Sequence, residues 1–251
     1  MDPVRGVERS VEDHLTRIDA MLGGVAVPYV LVGATALLLR GIALPRTTRD
    51  LDLVVSVAGG LEGIRSLFEA GGFRSTTVRH RFTAEDGMEI DVLAIAAGDR
   101  AGKVVLADGE WISGVGLAEA IESATAISLH TGSARVAQLP VLAAIKLYVA
   151  TVRVGEKDLD DALAVLRQYE AVGSRRFDVD HSMRKGLTWE TAGAWLAGRD
   201  ARILLQPRSR ETVTAAAERL ADGVRMSDRF AHGPESRELL AAFRRGLMSA
   251  E

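Results

Sequence analysis

Asp50 and Asp52 stand two apart in Asp50-Leu51-Asp52-Leu53-Val54-Val55, a run whose alternation and β-branched end predict a strand. In a strand both carboxylates leave one face while Leu51 and Leu53 go to the other, with the two acidic Cα atoms roughly 6.6 Å apart. At an effective dielectric of ~20, two full charges ~6 Å apart repel by about 3 kcal/mol. Asp91 lies in a second alternating run, Met88-Glu89-Ile90-Asp91-Val92-Leu93. If the two strands are neighbours, Asp91 comes within roughly 5 to 7 Å of the first pair. Three carboxylates meeting at one point call for a cation, and hard oxygen ligands at this spacing suit Mg²⁺ or Mn²⁺ bridging substrate phosphates. Two such ions, about 3.5 to 4 Å apart, would stabilise the attacking and leaving oxygens of a phosphoryl-type transfer. The plainer alternative is a half-exposed sheet face: Asp50 flanks its strand, Asp52 points to water, and Glu89 and Asp91 do the same.

The residues upstream weigh toward chemistry. Pro28 opens the apolar run Tyr29-Val30-Leu31-Val32, the length of a buried strand, which ends at Gly33. A glycine there lets main-chain amides approach a phosphate. A helix over Ala34–Arg40 would begin at that point, adding the Thr35 hydroxyl and a partial positive charge. Arg46, Thr48 and Arg49 stand just before the two carboxylates and are able to bind phosphate oxygens. Farther along, Lys146 is an isolated cation in the oily run Leu142-Ala143-Ala144-Ile145-Lys146-Leu147-Tyr148. It either snorkels to the surface, with Arg153 two turns on, or serves a site. Lys157-Asp158-Leu159-Asp160-Asp161 opens the next helix, where acidic groups suit the helix dipole and Asp158 and Asp161 share a face. His14, His80, His130, His181 and His232 have no ligand spacing and read as structural or surface residues.

The elements that must carry these residues follow from periodicity. A helix is expected over Val7–Leu22, closed by Gly23 and Gly24, and another over Leu61–Ala70. Strands are expected over Thr76–Thr83 and Met88–Ile95, joined through Glu85-Asp86-Gly87, with shorter ones near 104–106, 110–112 and 135–137. Helices over Pro140–Val152 and Lys157–Tyr169 come next. Gly173-Ser174-Arg175-Arg176 is the expected domain boundary, dividing a core over 1–172 from a part over 173–251 in which strand character is lost. That part carries the helical runs Trp189–Ala197, Arg210–Leu220 and Ser236–Met248. The fold class is α/β (α+β): a small mixed β-sheet with packed helices, followed by a helical C-terminal part.

Composition bounds the rest. At 251 residues with 47% apolar content the chain can bury a core, and its apolar share excludes intrinsic disorder. The absence of cysteine excludes disulfides, zinc–thiolate sites and a thiol nucleophile. Charged residues recur too often for a membrane span, and the polar opening residues read as a helix rather than a secretory leader, so a cytoplasmic protein is expected. A net charge of −3 neither demands nor excludes a nucleic-acid partner. Residues 173–251 carry 14 basic and 11 acidic groups, so that part faces a polyanion more easily than the core does.

Leu31-Val32-Gly33-Ala34-Thr35-Ala36-Leu37, followed by Arg46-Thr47-Thr48-Arg49-Asp50-Leu51-Asp52-Leu53, resembles the signature of the DNA polymerase β-type nucleotidyltransferase superfamily. Within it the likeness is to the AbiEii/AbiGii toxin family, which includes the MenT-like toxins and reads G-G-x-A-L, then R-x-T-x-D-h-D-h. The apolar helix with Lys146 and the K/R-D-x-x-D helix match the same family, so the resemblance spans about Tyr29 to Tyr169. It implies a nucleotidyltransferase core that moves a nucleotidyl group from an NTP to an acceptor hydroxyl. Gly33, Ala34 and Thr35 would cradle the phosphates with Arg46, Thr48 and Lys146. Asp50, Asp52 and Asp91 would hold Mg²⁺ or Mn²⁺, and Asp158 or Asp161 would position the lysine or assist the acceptor. The implied partners are the tRNA 3′ end and a cognate antitoxin, with Arg175, Arg176, Arg184, Lys185, Arg199 and Arg202 as contacts for RNA backbone. Ala34 departs from the pattern, which has Gly or Ser there. That departure motivates one alternative, a weakened nucleotide-binding or interaction module. The other is transfer to a small molecule or a protein side chain.

Overall fold

The computed structural model describes residues 7–48, 50–96, 103–105, 111–153, 156–181, 186–223 and 234–249. The chain divides into two compact units, Met1–Gln138 and Leu139–Glu251.

The first unit opens with α1 (Arg9–Gly24), whose Val11, Leu15, Ile18 and Leu22 recur at helical spacing and are buried. β1 (Tyr29–Val32) is buried at every position, as a central strand covered on both faces must be. α2 (Gly33–Leu39) follows without a loop, and β2 (Asp50–Ser56) returns antiparallel to β1. α3 (Gly60–Ala70) buries Ile64 and Phe68. β3 (Arg74–Ser75), β4 (Arg81–Thr83) and β5 (Glu89–Ile95) bring the chain back to β2. β6 (Lys103–Val105) and β7 (Trp111–Ser113) form a separate ribbon. α4 (Leu117–Glu122), β8 (Thr125–Ser128) and β9 (Ser133–Val136) complete the unit.

Among the described residues the main sheet has seven strands in the order β3-β4-β5-β2-β1-β9-β8. It is mixed: β2 pairs antiparallel with β1 but parallel with β5, and β1 is parallel to β9. Phe68 of α3 stacks on Phe82 of β4 with ring centroids 4.7 Å apart, which anchors the β4 edge to the core. Each such fully buried side chain stabilises by roughly 1.5–3 kcal/mol.

The fold class is the one read from the sequence, a mixed α/β sheet with packed helices. One strand expectation fails. The run Thr76–Thr83 is not one strand but the turn of the β3–β4 hairpin followed by β4. The Thr76 hydroxyl bonds the Val78 and Arg81 carbonyls and accepts the Val78 N–H, a local alternative to the ladder. α4 and β8, which lack a clear apolar period, were not anticipated by the pattern.

The second unit is helical: α5 (Leu139–Val152), α6 (Glu156–Gln168), α7 (Arg175–His181), α8 (Trp189–Leu204), α9 (Pro207–Ala221) and α10 (Pro234–Leu247). The unit boundary falls at 138/139 rather than at the glycine-arginine segment near 173, because α5 packs on α6, α8 and α9 and α6 packs on α8. α8 runs through Gly198 instead of stopping before it. A Cβ on Gly198 would sit 2.0 Å from the Phe243 carbonyl oxygen, and one on Gly246 would sit 2.1 Å from that of Trp195. The two glycines let α8 and α10 touch backbone to backbone, so Gly198 serves packing rather than termination. Among the described residues no helix is long and apolar enough to cross a membrane.

Candidate active site

The turn from β1 into α2 sets the first constraint. Gly33 has φ +72°, a left-handed conformation that favours glycine, and a Cβ on it would lie 1.9 Å from Asp52 Oδ2. The pairing of Val32 with Asp52 brings that carboxylate against the end of β1. Thr35 Oγ1 donates to the main-chain carbonyl of Asp50 at 2.8 Å, tying α2 to the start of β2. The Thr48 hydroxyl donates to Asp50 Oδ1, so the connector grips the same residue from the other side. Thr35 and Ala34 are buried, and the Thr35 hydroxyl acts on the protein's own backbone. Arg49 lies outside the described residues.

The register of β2 and β5 sets the second. Asp52 is directly opposite Asp91, and Asp50 is opposite Glu89. Parallel neighbours in register point to one side with strands about 4.8 Å apart, so four carboxylates occupy one face of two strands. Leu51, Leu53, Ile90 and Val92 fill the core on the other face. Asp50, Asp52 and Asp91 therefore share one face of the sheet, with Asp52 against Gly33.

β4 supplies the countercharge. Arg81 lies opposite Asp91 in the antiparallel β4–β5 ladder and forks onto it, Nε to Oδ1 at 2.7 Å and Nη2 to Oδ2 at 2.9 Å. Its remaining nitrogen reaches Glu89 at 2.8 Å. The hydrogen bond to Asp91, aided by the charges of Glu89 and Asp50, pushes the guanidinium pKa above its ordinary value. No sequence pattern singles out Arg81, whose importance depends on which strand lies beside which.

Asp50 and Asp52 offer oxygen donors on one face of β2, with Asp52 packed against Gly33, a donor set that suits a hard divalent cation. Among the described residues no three acidic or histidine side chains close around a common ion position. Both oxygens of Asp91 face Arg81. Next to this site Thr35, Arg46, Thr47 and Thr48 line a cavity of about 220 Å³ with Leu38, Leu44 and residues of the α1 end. That volume is below the roughly 300–1,000 Å³ of pockets that enclose drug-sized ligands, so it would hold only part of a nucleotide.

In the second unit Lys146 is not a surface lysine. Its side chain is 12% exposed and lies 2.7 Å from Asp158 Oδ1 and 3.0 Å from Asp161 Oδ2, Asp161 itself being 1% exposed. The three-residue spacing of the aspartates places both on the α6 face turned to α5. Burial pulls the ammonium pKa down, but the charges and hydrogen bonds of Asp158 and Asp161 outweigh it and leave the pKa raised.

Two of the arginines expected to meet RNA are engaged internally. Arg176 is buried and donates to the carbonyls of Arg167 and Tyr169, capping α6. Arg175 binds Glu170 and Asp200. Arg184 and Lys185 lie outside the described residues, and Arg199 sits over the Trp195 ring.

No family model matches the chain. No curated protein matches its sequence. Among solved structures it is similar to an antigenic nucleotidyltransferase-like protein from Paracoccidioides brasiliensis, at 14% identity and a TM-score of 0.45 over 63% of this chain and 76% of that one. The antibiotic-resistance factor ANT(2'')-Ia matches at 16% identity and a TM-score of 0.41, over 70% of this chain and 91% of its own. The lincosamide antibiotic adenylyltransferase LnuA, with lincomycin bound, matches at 14% and 0.41, over 61% and 94%. At these scores the residues of this chain, rather than its neighbours, carry the chemistry.

Proposed function

We propose that the chain is a nucleotidyltransferase that moves a nucleotidyl group from an NTP to an acceptor hydroxyl, with the tRNA 3′ end as acceptor, and that it acts as the toxin of a toxin–antitoxin pair. The observation that supports this reading above others is the pairing of Asp52 with Asp91, which sets carboxylates on one face beside the glycine turn that ends β1. Asp50 and Asp52 would hold Mg²⁺ or Mn²⁺. A bound divalent ion lowers the pKa of an acceptor hydroxyl and offsets charge on the transferring phosphoryl oxygens.

The chain's own residues do the rest. Thr35 and Thr48 fix Asp50 from two sides, so the first carboxylate is aimed before any substrate arrives. Gly33 keeps Asp52 in place by having no side chain. Arg46 and Thr48 line the adjoining cavity, where the Arg46 guanidinium offers donors to phosphate oxygens. In the reaction the acceptor oxygen bonds to the α-phosphorus, the bond to the β-phosphate oxygen breaks, and pyrophosphate leaves. For Lys146 we propose the family role of phosphate binding, with Asp158 and Asp161 holding its ammonium charged and oriented.

The test is incubation of the chain with labelled ATP, GTP, CTP and UTP, Mg²⁺ and total bacterial tRNA, beside Asp52→Asn. Labelled RNA with the unaltered chain and none with the variant is the expected result. Equal labelling by both would remove Asp52 from the chemistry. Mg²⁺-dependent binding of NTP with no transfer to RNA would favour the binding module that Ala34 motivates.

A further inference from the structure

We propose that the open edge of β8 takes up an extended, acidic segment of another protein as a further strand of the main sheet, with carboxylates of that segment meeting Arg40 and Arg135. The surface lies within the first unit and uses none of the residues assigned to nucleotidyl transfer, so it stands or falls independently of that reading.

The register of the β8–β9 hairpin decides which main-chain groups are already used. The Leu129 N–H donates to the Gly132 carbonyl at 2.9 Å, so this pair closes the hairpin. Antiparallel alternation then assigns the next ladder bonds to Ile127 with Ala134 and to Thr125 with Val136. β9 agrees from its other side. The Arg135 N–H turns away from β8 to the Tyr29 hydroxyl, and the Ala137 N–H goes to the Leu31 carbonyl. The N–H and C=O groups of Ala126 and Ser128 therefore point outward, and among the described residues nothing takes them up. β8 ends the strand order, and Thr125, Ala126 and Ser128 are exposed. Proteins protect such edges by shortening or charging them. β3, at the opposite edge, has two residues and includes Arg74, whereas Thr125-Ala126-Ile127-Ser128 carries neither charge nor proline. Outward groups on alternate residues are what an added strand pairs with.

The charge beside this edge selects the occupant. Arg40 donates through Nε to the Ala137 carbonyl at 2.9 Å, and through Nη2 to the Val136 carbonyl and the Thr125 hydroxyl, both at 2.6 Å. Its half-buried guanidinium has no carboxylate partner among the described residues, and burial pulls its pKa below the ordinary value. Arg135 is opposite Ala126, so the two side chains leave the same face of the sheet, and its Nη2 reaches to 3.5 Å from the Ala124 carbonyl. Two cations that meet only neutral oxygens among the described residues thus flank the start of β8. A carboxylate arriving there gains charge-assisted hydrogen bonds. A second copy of this chain would not supply one. Two β8 edges paired antiparallel about Ile127 set the Thr125 end of one against the Ser128 end of the other, where Leu129, His130 and Thr131 follow without an acid.

The experiment measures binding of short fluorescent peptides to the full chain by anisotropy and maps amide hydrogen exchange in the complex. The peptides alternate threonine and valine and begin or end with two glutamates, and a matched set carries lysine in place of glutamate. At least one glutamate peptide should bind at least tenfold more tightly than its lysine counterpart and slow exchange at Ala126 and Ser128. Ala126→Pro removes an outward N–H while leaving the ladder to β9 intact, and should weaken that binding at least tenfold. Arg40→Gln should reduce the preference for glutamate over lysine at least threefold. Equal binding of the two peptide sets, or binding that leaves Ala126 and Ser128 exchanging as before, would overturn the proposal. No binding tighter than about 1 mM would do the same. So would a dimer of the unaltered chain that Ala126→Pro abolishes, since a second copy would then hold the edge. If Ala126→Pro does not fold, exchange at Ala126 and Ser128 in the unaltered chain decides.

Discussion

Replacing Gly33 by alanine tests the site through a single methyl group. The backbone there has φ +72°, and a non-glycine residue in that region costs about 1–2 kcal/mol. The added Cβ would lie 1.9 Å from Asp52 Oδ2, where ordinary contact begins at 3.4 Å, so the carboxylate has to retreat by about 1.5 Å. Displacing a reacting or ligating group by ~1 Å costs on the order of 100-fold in rate, equivalent to about 2.7 kcal/mol in the barrier. Gly41 provides the matched control, since it has φ +81° and nothing within 4 Å of its would-be Cβ. Gly41→Ala therefore incurs the same backbone strain without moving any side chain. Both variants should lose about 1–2 kcal/mol in urea unfolding. Only Gly33→Ala should also lose Mn²⁺ affinity and, in the labelled-NTP assay, roughly 100-fold of transfer. If Gly33→Ala keeps the Mn²⁺ affinity and transfer rate of Gly41→Ala, the position of Asp52 against β1 is irrelevant to the chemistry and the reasoning fails.

Three further outcomes follow from the packing and charges. Lys146→Met strands Asp158 and Asp161 without their cation and should destabilise by about 3–5 kcal/mol, whereas Asp161→Asn keeps one partner and should cost less. The double variant should fall short of the sum of the two in denaturant melts, and strict additivity would speak against the clamp. Gly198→Ala and Gly246→Ala each push a methyl into the backbone of the facing helix, so each should destabilise by about 1–3 kcal/mol in the same melts, and an unchanged midpoint would contradict the close α8–α10 crossing. Asp86 has its pKa lowered by hydrogen bonds from His14 and the Met88 N–H, so its stabilisation is present above the ordinary aspartate pKa and is lost as pH falls through the lowered value. Asp86→Asn should flatten that part of the acid unfolding curve followed by circular dichroism, and an unaltered curve would remove Asp86 from it.

Part of the site was legible in the chain order. The alternation of Asp50, Leu51, Asp52 and Leu53 states which side chains share a face, and the structure buries the two leucines and half-exposes the acids. Tyr29–Val32 reads as a covered strand and is one, with Gly33 at its end taking a backbone angle suited to glycine. Lys146 was ambiguous by sequence, because a lysine on an oily helix is compatible with surface or core. The two aspartates one turn apart on the following helix resolve it in favour of a clamp only once α5 and α6 are packed. The Thr76–Thr83 run misled because β-branched residues also suit a hairpin whose turn is held by a threonine hydroxyl.

Local pattern by itself determined the faces: a period of two or of 3.6 is set by backbone geometry and needs no partner. It therefore settled that Asp50 and Asp52 project together, that the chain is a mixed α/β fold with a helical C-terminal part, and that Gly33 marks a turn. Only the tertiary structure decided that β5 lies parallel to β2 with Asp91 opposite Asp52, that Arg81 reaches across from β4, and that α5 and α6 belong with the later helices. Those outcomes depend on strand order, register and helix packing between residues far apart in the chain, which no local repeat encodes.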